Sequence, residues 1–208
     1  MAYVLGYFAA DGSMYQNKRG SCYIAFTSTD RDLIAQVKNI MKVSNRIEVY
    51  QAKEKPNQKL RYTLQIGSKS IFGKLLKLGF TPNKSLTLKF PPVSDDLIGH
   101  FLRGYFDGDG CASFVYYKRK NRKNLQRILN MRIRCGSKEF IQILQNKLAE
   151  IKHTKGLLYF HSGAYELVYR AKDVIKLYSF AYPTLVVPCL KRKRDILIKG
   201  LKAFNVGP

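Results

Sequence analysis

Two aspartates stand where a helix least tolerates them. Asp11 closes the run Val4-Leu5-Gly6-Tyr7-Phe8-Ala9-Ala10-Asp11-Gly12, and Asp109 closes Leu102-Arg103-Gly104-Tyr105-Phe106-Asp107-Gly108-Asp109-Gly110. Each run reads as an apolar helix ending on Asp-Gly. The helix macrodipole leaves partial negative charge at that end, so a carboxylate there costs roughly 0.3–1 kcal/mol. Two such placements, about half the chain apart, suggest a positive partner between them, most simply a divalent metal. Neighbouring carboxylates repel unless a hard cation such as Mg²⁺ bridges them. Paired metals beside a phosphodiester can clamp both the attacking and the leaving oxygen of an in-line displacement.

The same runs carry small residues four apart: Gly6 and Ala10 in the first, Gly104 and Gly108 in the second. Glycine inside a helix costs roughly 0.5–1 kcal/mol relative to alanine, so its repeated use needs a reason. Close approach of two helix backbones supplies one, as small-xxx-small patterns do elsewhere. If the two helices pair along these residues, Asp11 and Asp109 arrive side by side at one end.

Around each motif the element order repeats. After Gly12, strands are expected at 13–19 and 22–28, where Cys22, Ile24 and Phe26 alternate with Tyr23, Ala25 and Thr27 in the period of a half-buried strand. Asp30 reads as the N-cap of a helix to about Lys42, followed by strands at 46–51 and 60–66 and a helix at 69–78 stopped by Gly79. Pro82, Pro91 and Pro92 mark a linker, and Ser94 reads as the cap of the next helix. The second half has strands at 112–119, 127–135, 157–161 and 165–170 and helices at 138–151 and 172–180. A last helix at 192–203 has no counterpart in the first half. The expectation is an α+β protein of two pseudo-symmetric αββαββα halves, each a four-stranded antiparallel sheet backed by helices, joined through the motif helices. The halves are 1–81 and 95–208, with 82–94 between them.

A net charge of +23 over 208 residues opposes compactness and favours a polyanionic partner. From Cys111 to Arg134 there is no acid, while Lys118, Arg119, Lys120, Arg122, Lys123, Arg127, Arg132 and Arg134 lie there with Phe114, Tyr116 and Tyr117 among them. An antiparallel ribbon fits a major groove and presents alternate side chains to it. On that alternation Asn130 and Arg132 share one face, Met131 and Ile133 the other. The nucleic-acid-facing set is then Ser113, Tyr117, Arg119, Asn130, Arg132, Arg134, Glu166 and Arg170 in the second half. In the first half it is Tyr15, Asn17, Arg19, Tyr23, Arg46, Glu48, Tyr50, Arg61, Thr63 and Gln65, with Ala25 among them. Four scattered cysteines and three histidines form no metal pattern. With no signal peptide and no apolar run of membrane-spanning length, a soluble, intracellular protein is expected, in a prokaryotic cytoplasm or an organelle.

The two motifs, the repeated order, the linker and the basic ribbons together resemble the single-chain, two-motif LAGLIDADG homing endonucleases over essentially the whole chain. The resemblance implies Mg²⁺-dependent cleavage of double-stranded DNA at a long site, by a monomer, leaving 3′ overhangs and serving intron or intein homing. It makes Asp11 and Asp109 the metal ligands, sharing two or more ions, and points to Lys84 and Lys193 as the basic residues near the scissile phosphates. Position six of the motif is acidic only in the second copy, Asp107 against Ala9, and a polar position after the second strand holds Ser28 in one half and Cys135 in the other. RNA maturases and catalytically silent DNA-binding members share the fold, so RNA is the alternative partner.

Overall fold

The computed structural model describes residues 1–51, 59–118, 124–184 and 186–206. Chain order is α1 (Ala2–Asp11), β1 (Gly12–Gln16), β2 (Cys22–Ser28), α2 (Arg31–Met41), β3 (Ile47–Tyr50), β4 (Arg61–Gly67) and α3 (Lys69–Lys77). A 3₁₀ turn at Asp95–Leu97 leads into the second series. It comprises α4 (Ile98–Asp109), β5 (Gly110–Tyr117), β6 (Gln126–Cys135), α5 (Lys138–Lys152), β7 (Leu157–His161), β8 (Ala164–Arg170), α6 (Ala171–Ala181) and α7 (Lys191–Ala203). The two sheets have one topology, β1-β2-β4-β3 and β5-β6-β8-β7, with every pair antiparallel.

Alternation decides which face of each sheet is dry. Ile24, Phe26, Leu64 and Ile66 point to one side and are buried with Leu33, Ile34 and Val37 of α2 and Phe72 and Leu75 of α3. In the second sheet Leu129, Met131, Ile133, Leu167 and Tyr169 do the same with Phe140, Ile141, Leu144 and Leu148 of α5 and Val174 and Leu177 of α6. The helix without a counterpart, α7, packs on β5 and β6, with Leu197 and Leu201 buried and Gly200 against Leu129.

Helix starts follow local chemistry only in part. Ser68 and Ser137 cap α3 and α5, their hydroxyls accepting from the backbone N–H of Ile71 and Phe140 at 3.2 and 3.3 Å. Asp30 occupies the N-cap position of α2 without a capping bond, because the Arg192 guanidinium takes its carboxylate at 3.0 Å. Ser94 makes no side-chain cap either: it precedes the 3₁₀ turn, and α4 starts only at Ile98. The strand expected to reach residue 119 ends at Tyr117, and residue 119 itself lies outside the described residues. Among the described residues no helix is long and apolar enough to cross a membrane, and all four cysteines are free thiols.

Candidate active site and nucleic-acid interface

The halves meet along α1 and α4, and glycine allows it. A Cβ on Gly104 would lie 2.8 Å from the Tyr7 nitrogen and the Tyr3 carbonyl carbon, and closer still to the Tyr3 oxygen. A Cβ on Gly6 would lie 2.9 Å from the Tyr105 nitrogen, in the mirror-image contact with Phe101. One turn further on, a Cβ on Gly108 would meet the Ala10 methyl at 2.5 Å and the Asp11 Oδ2 at 3.1 Å. The two backbones therefore run in contact down to their last turns.

That contact brings Asp11 and Asp109 together. The Asp11 pKa is pushed up to about 6, first by desolvation and next by the charge of Asp109, against the pull of Lys193 and Lys84. Burial also raises Asp109, while Lys193, Lys84 and Arg134 pull it down. Beneath them two lysines are buried, Lys84 at 7% and Lys193 at 6% exposure. Lys193 Nζ donates to the carbonyls of Phe106, Asp107 and Gly108 at 2.8, 2.8 and 2.9 Å and sits 5.5 Å from the Phe106 ring centre. Lys84 donates to the Gly12 carbonyl and sits 5.6 Å from the ring of Phe8. Each ammonium thus neutralises the negative end of one motif helix, which makes an aspartate tolerable there. Burial lowers both lysine pKa values, Lys193 to about 8.

Among the described residues no group of three or more His, Cys, Asp or Glu side chains gathers to hold a metal. The donor set still fits a hard divalent ion: two adjacent carboxylates that repel each other, whose neighbouring lysines are bonded to backbone carbonyls. Two protein carboxylates fill only part of such an ion's shell, leaving positions for water and phosphate oxygens.

β1 and β5 begin on the residue after each carboxylate, so the sheets start from this pair. On the helix-free face of the first sheet, Tyr15 stacks on Tyr23 at 5.1 Å, and Thr63 shares a hydrogen bond with Thr27 at 3.0 Å. Gln65 stands opposite Ala25, which its neighbours bury. Glu48 pairs with Arg46 at 3.8 Å, and Tyr50 faces Arg61 across the β3–β4 ladder. Arg19 lies in the exposed turn after β1, whereas the Asn17 Oδ1 is used within that turn, accepting from the N–H of Arg19 and Ser21. In the second sheet Ser113 faces Asn130, Asn130 faces Arg170, and Arg134 faces Glu166. Tyr117 is exposed at the far end of β5. Arg132 lies over Cys111, Arg134 donates to the Ser162 carbonyl at 3.2 Å, and Glu166 meets His161 at 3.4 Å.

One part of the basic ribbon is turned the other way. Arg127 donates to the Ala203 carbonyl and stacks on Phe204 at 5.3 Å, pinning the end of α7 to the back of the sheet. Phe114 and Tyr116 share that back face. Arg119, Lys120, Arg122 and Lys123 lie outside the described residues.

Residues 1–78 match the profile of a LAGLIDADG-like domain. Over nearly the whole chain the fold superposes on the homing endonuclease I-WcaI bound to its DNA recognition sequence, with a TM-score of 0.68 at 18% identity, covering 94% of this chain and 84% of that one. The chain has the LAGLIDADG homing-endonuclease fold. I-SmaMI, a LAGLIDADG homing endonuclease bound to cleaved DNA, superposes with a TM-score of 0.64 at 15% identity, covering 99% of this chain and 90% of that one. I-DmoI in complex with DNA and Mn gives 0.58 at 19% identity, covering 89% and 97%. No curated protein sequence gives a significant match.

On this LAGLIDADG frame the second motif carries a polar network that sequence reasoning missed. Arg103, only 2% exposed, donates to the carbonyls of Pro188 (2.9 Å) and Ala181, bonds His100 Nδ1 at 3.0 Å and lies over the rings of Tyr3 and Tyr182. The Asp107 Oδ2 accepts from the Tyr3 hydroxyl at 2.9 Å and the Leu190 N–H at 2.8 Å, and desolvation lifts its pKa to about 6. Ala9 can do none of this, so the acid kept at position six of the second motif serves the start of α7, the helix that carries Lys193. The only signal in the sequence was a charge inside each otherwise apolar turn. Ser28 and Cys135 bond the backbone N–H groups of Asp30 and Ser137. Tyr7 and Tyr105 donate to the carbonyls just before them, of Thr27 and Arg134, at 3.1 and 3.0 Å. The segments after α3 and α6 also cross between halves. Gln36 of α2 exchanges two hydrogen bonds with Cys189, and Gly136 packs against the Ser85 carbonyl.

Proposed function

We propose that this protein is a site-specific double-strand DNA endonuclease that acts as a monomer with Mg²⁺ and leaves 3′ overhangs. The observation that carries the reading is the meeting of Asp11 and Asp109 at the ends of two backbone-contacting helices, where two basic sheets begin. Each half, 1–81 and 95–208, addresses one half-site, and 82–94 links them. Asp11 and Asp109 are the residues that would hold the divalent ions. A bound ion supplies charge neutralisation at the scissile phosphate and a more acidic water. Lys84 and Lys193 act from below, keeping the helix ends positive enough for two carboxylates and a phosphate to share the site. The outward residues of both sheets read base edges and grip phosphates. The DNA-bound and Mn-bound relatives support this reading.

The test is cleavage of a duplex spanning the rejoined gene into which the element inserts, with Mg²⁺ and then with excess chelator. Cleavage of both strands should require the ion. It should be lost in Asp11→Asn and in Asp109→Asn while binding survives or tightens, because a negative charge beside phosphate is removed. Normal cleavage of both strands by Asp11→Asn would overturn the assignment. Selective binding of the intron RNA with no cleavage of DNA would make the protein a maturase.

A further inference from the structure

We infer that the second sheet recognises A·T pairs through thymine methyl groups packed on branched aliphatic side chains, which the described helix-free face of the first sheet lacks; this rests on the DNA-cleavage reading above. Four branched aliphatic side chains stand on the helix-free face of the second sheet. Val115 faces Ile128 across the β5–β6 ladder, and Leu157 faces Val168 across β7–β8. Val115 is 50% exposed and Leu157 42%, so neither contributes to the core. The matching face of the first sheet is built from Ser, Tyr, Ala, Thr, Arg, Glu and Gln, with no Val, Ile or Leu among its described residues.

Placement argues for a ligand rather than for strand propensity alone. The two apolar pairs are separated by the row holding Asn130 and Arg170, and Arg132 stands in the same row as Val168 and Leu157. Each pad is therefore flanked by groups suited to phosphate or base edges. Outward rows recur about every 6.8 Å along a strand, close to two steps of a duplex at 3.4 Å each. The pads thus lie two rows apart along the strands, the span of roughly four base pairs, and are also offset across the sheet, one on β5–β6 and the other on β8–β7. In the major groove only thymine, among the four bases, offers a methyl group, and aliphatic side chains contact it.

The test starts from a duplex selected out of a randomised pool with the Asp11→Asn/Asp109→Asn protein, which binds without cutting. The half-site under the second sheet is the one where Arg132→Ala relaxes base preference. Each dT is then replaced by dU, which removes only the methyl. One buried methyl corresponds to roughly three- to fivefold in affinity. That loss is expected at one or more positions of the second half-site. It should vanish in Val115→Ala or Leu157→Ala at the position each contacts, with both variants melting like the parent. Tolerance of dU throughout the second half-site, or a penalty that persists in both alanine variants, would overturn the inference and leave the nuclease reading standing. Failure to select any duplex would overturn both.

Discussion

Replacing Gly104 with alanine tests whether the seam between the halves is as tight as the structure has it. The added Cβ would sit 2.8 Å from the Tyr7 nitrogen, whereas ordinary contact begins at 3.4 Å, and the Tyr3 carbonyl oxygen is nearer still. Both obstacles are backbone, so no rotamer change relieves them and the helices must part by more than half an ångström. A gap of about 0.5–1 Å forfeits roughly a quarter to a half of the dispersion attraction across it. Tyr3, Tyr7, Phe101 and Tyr105, all buried, line this seam. The cost should therefore reach or pass the top of the usual overpacking range, roughly 3 kcal/mol. For a chain of this size that corresponds to a melting temperature lowered by about 6–12 °C. Differential scanning calorimetry with Gly73→Ala as the control decides it. Gly73 lies in α3 with open space where its Cβ would go, so alanine there should stabilise by about 0.5–1 kcal/mol. A Gly104→Ala protein melting within about 2 °C of the parent would refute the backbone-contact reading.

Gly108→Ala pushes on the Ala10 methyl and the Asp11 carboxylate rather than on backbone, so cleavage should fall at least tenfold with a smaller loss of melting temperature than Gly104→Ala. The pH dependence of metal-free stability has a definite sign. Folded Asp11 keeps its proton to about pH 6, whereas an unfolded aspartate releases it near 4. The folded state binds more protons in that interval, and this contribution to stability falls as pH rises from about 4 to 6; urea titrations should show Asp11→Asn gaining on the parent across it. Arg103→Ala strands the carbonyls of Ala181 and Pro188 and empties a large buried volume, so chemical denaturation should report a loss of roughly 3 kcal/mol or more. Arg132→Ala should relax preference at one or two adjacent base pairs at roughly 1–3 kcal/mol, while Lys118→Ala should weaken all duplexes alike and lower the salt slope by about one.

Features that depend on period and on local spacing were legible in the residues. The alternation of Cys22, Ile24 and Phe26 places β2 to the residue, and Met131 and Ile133 set the face of β6. By the same parity Arg127 belongs with Met131 on the back, away from Arg132, although all three lie in one run of the basic ribbon. Other features depend on partners remote in sequence. Asp30 has the composition of a cap, yet the guanidinium that claims it lies at residue 192. Asn17 is polar and near a strand end, and only the turn geometry shows that its oxygen is occupied. The tasks of Lys84 and Lys193 follow from carbonyls and rings that folding brings to them, and no local pattern encodes that.

The crossing of the segments after α3 and α6 bears on how such a chain can be recombined. Divided by chain order, residues 188–192 travel with the second half, yet Gln36 and Asp30 of the first half hold Cys189 and Arg192. Ser85, from the segment after α3, packs against Gly136 of the second half. A hybrid joining this first half to a foreign second half would keep its own reading face but lose the fastening of α2 to the start of α7, the helix that carries Lys193. Grafts that recombine halves of this fold should therefore carry Asp30 and Gln36 along with whatever replaces residues 188–192. Module boundaries in this architecture follow contacts, and the shortest working graft is not a contiguous stretch of sequence.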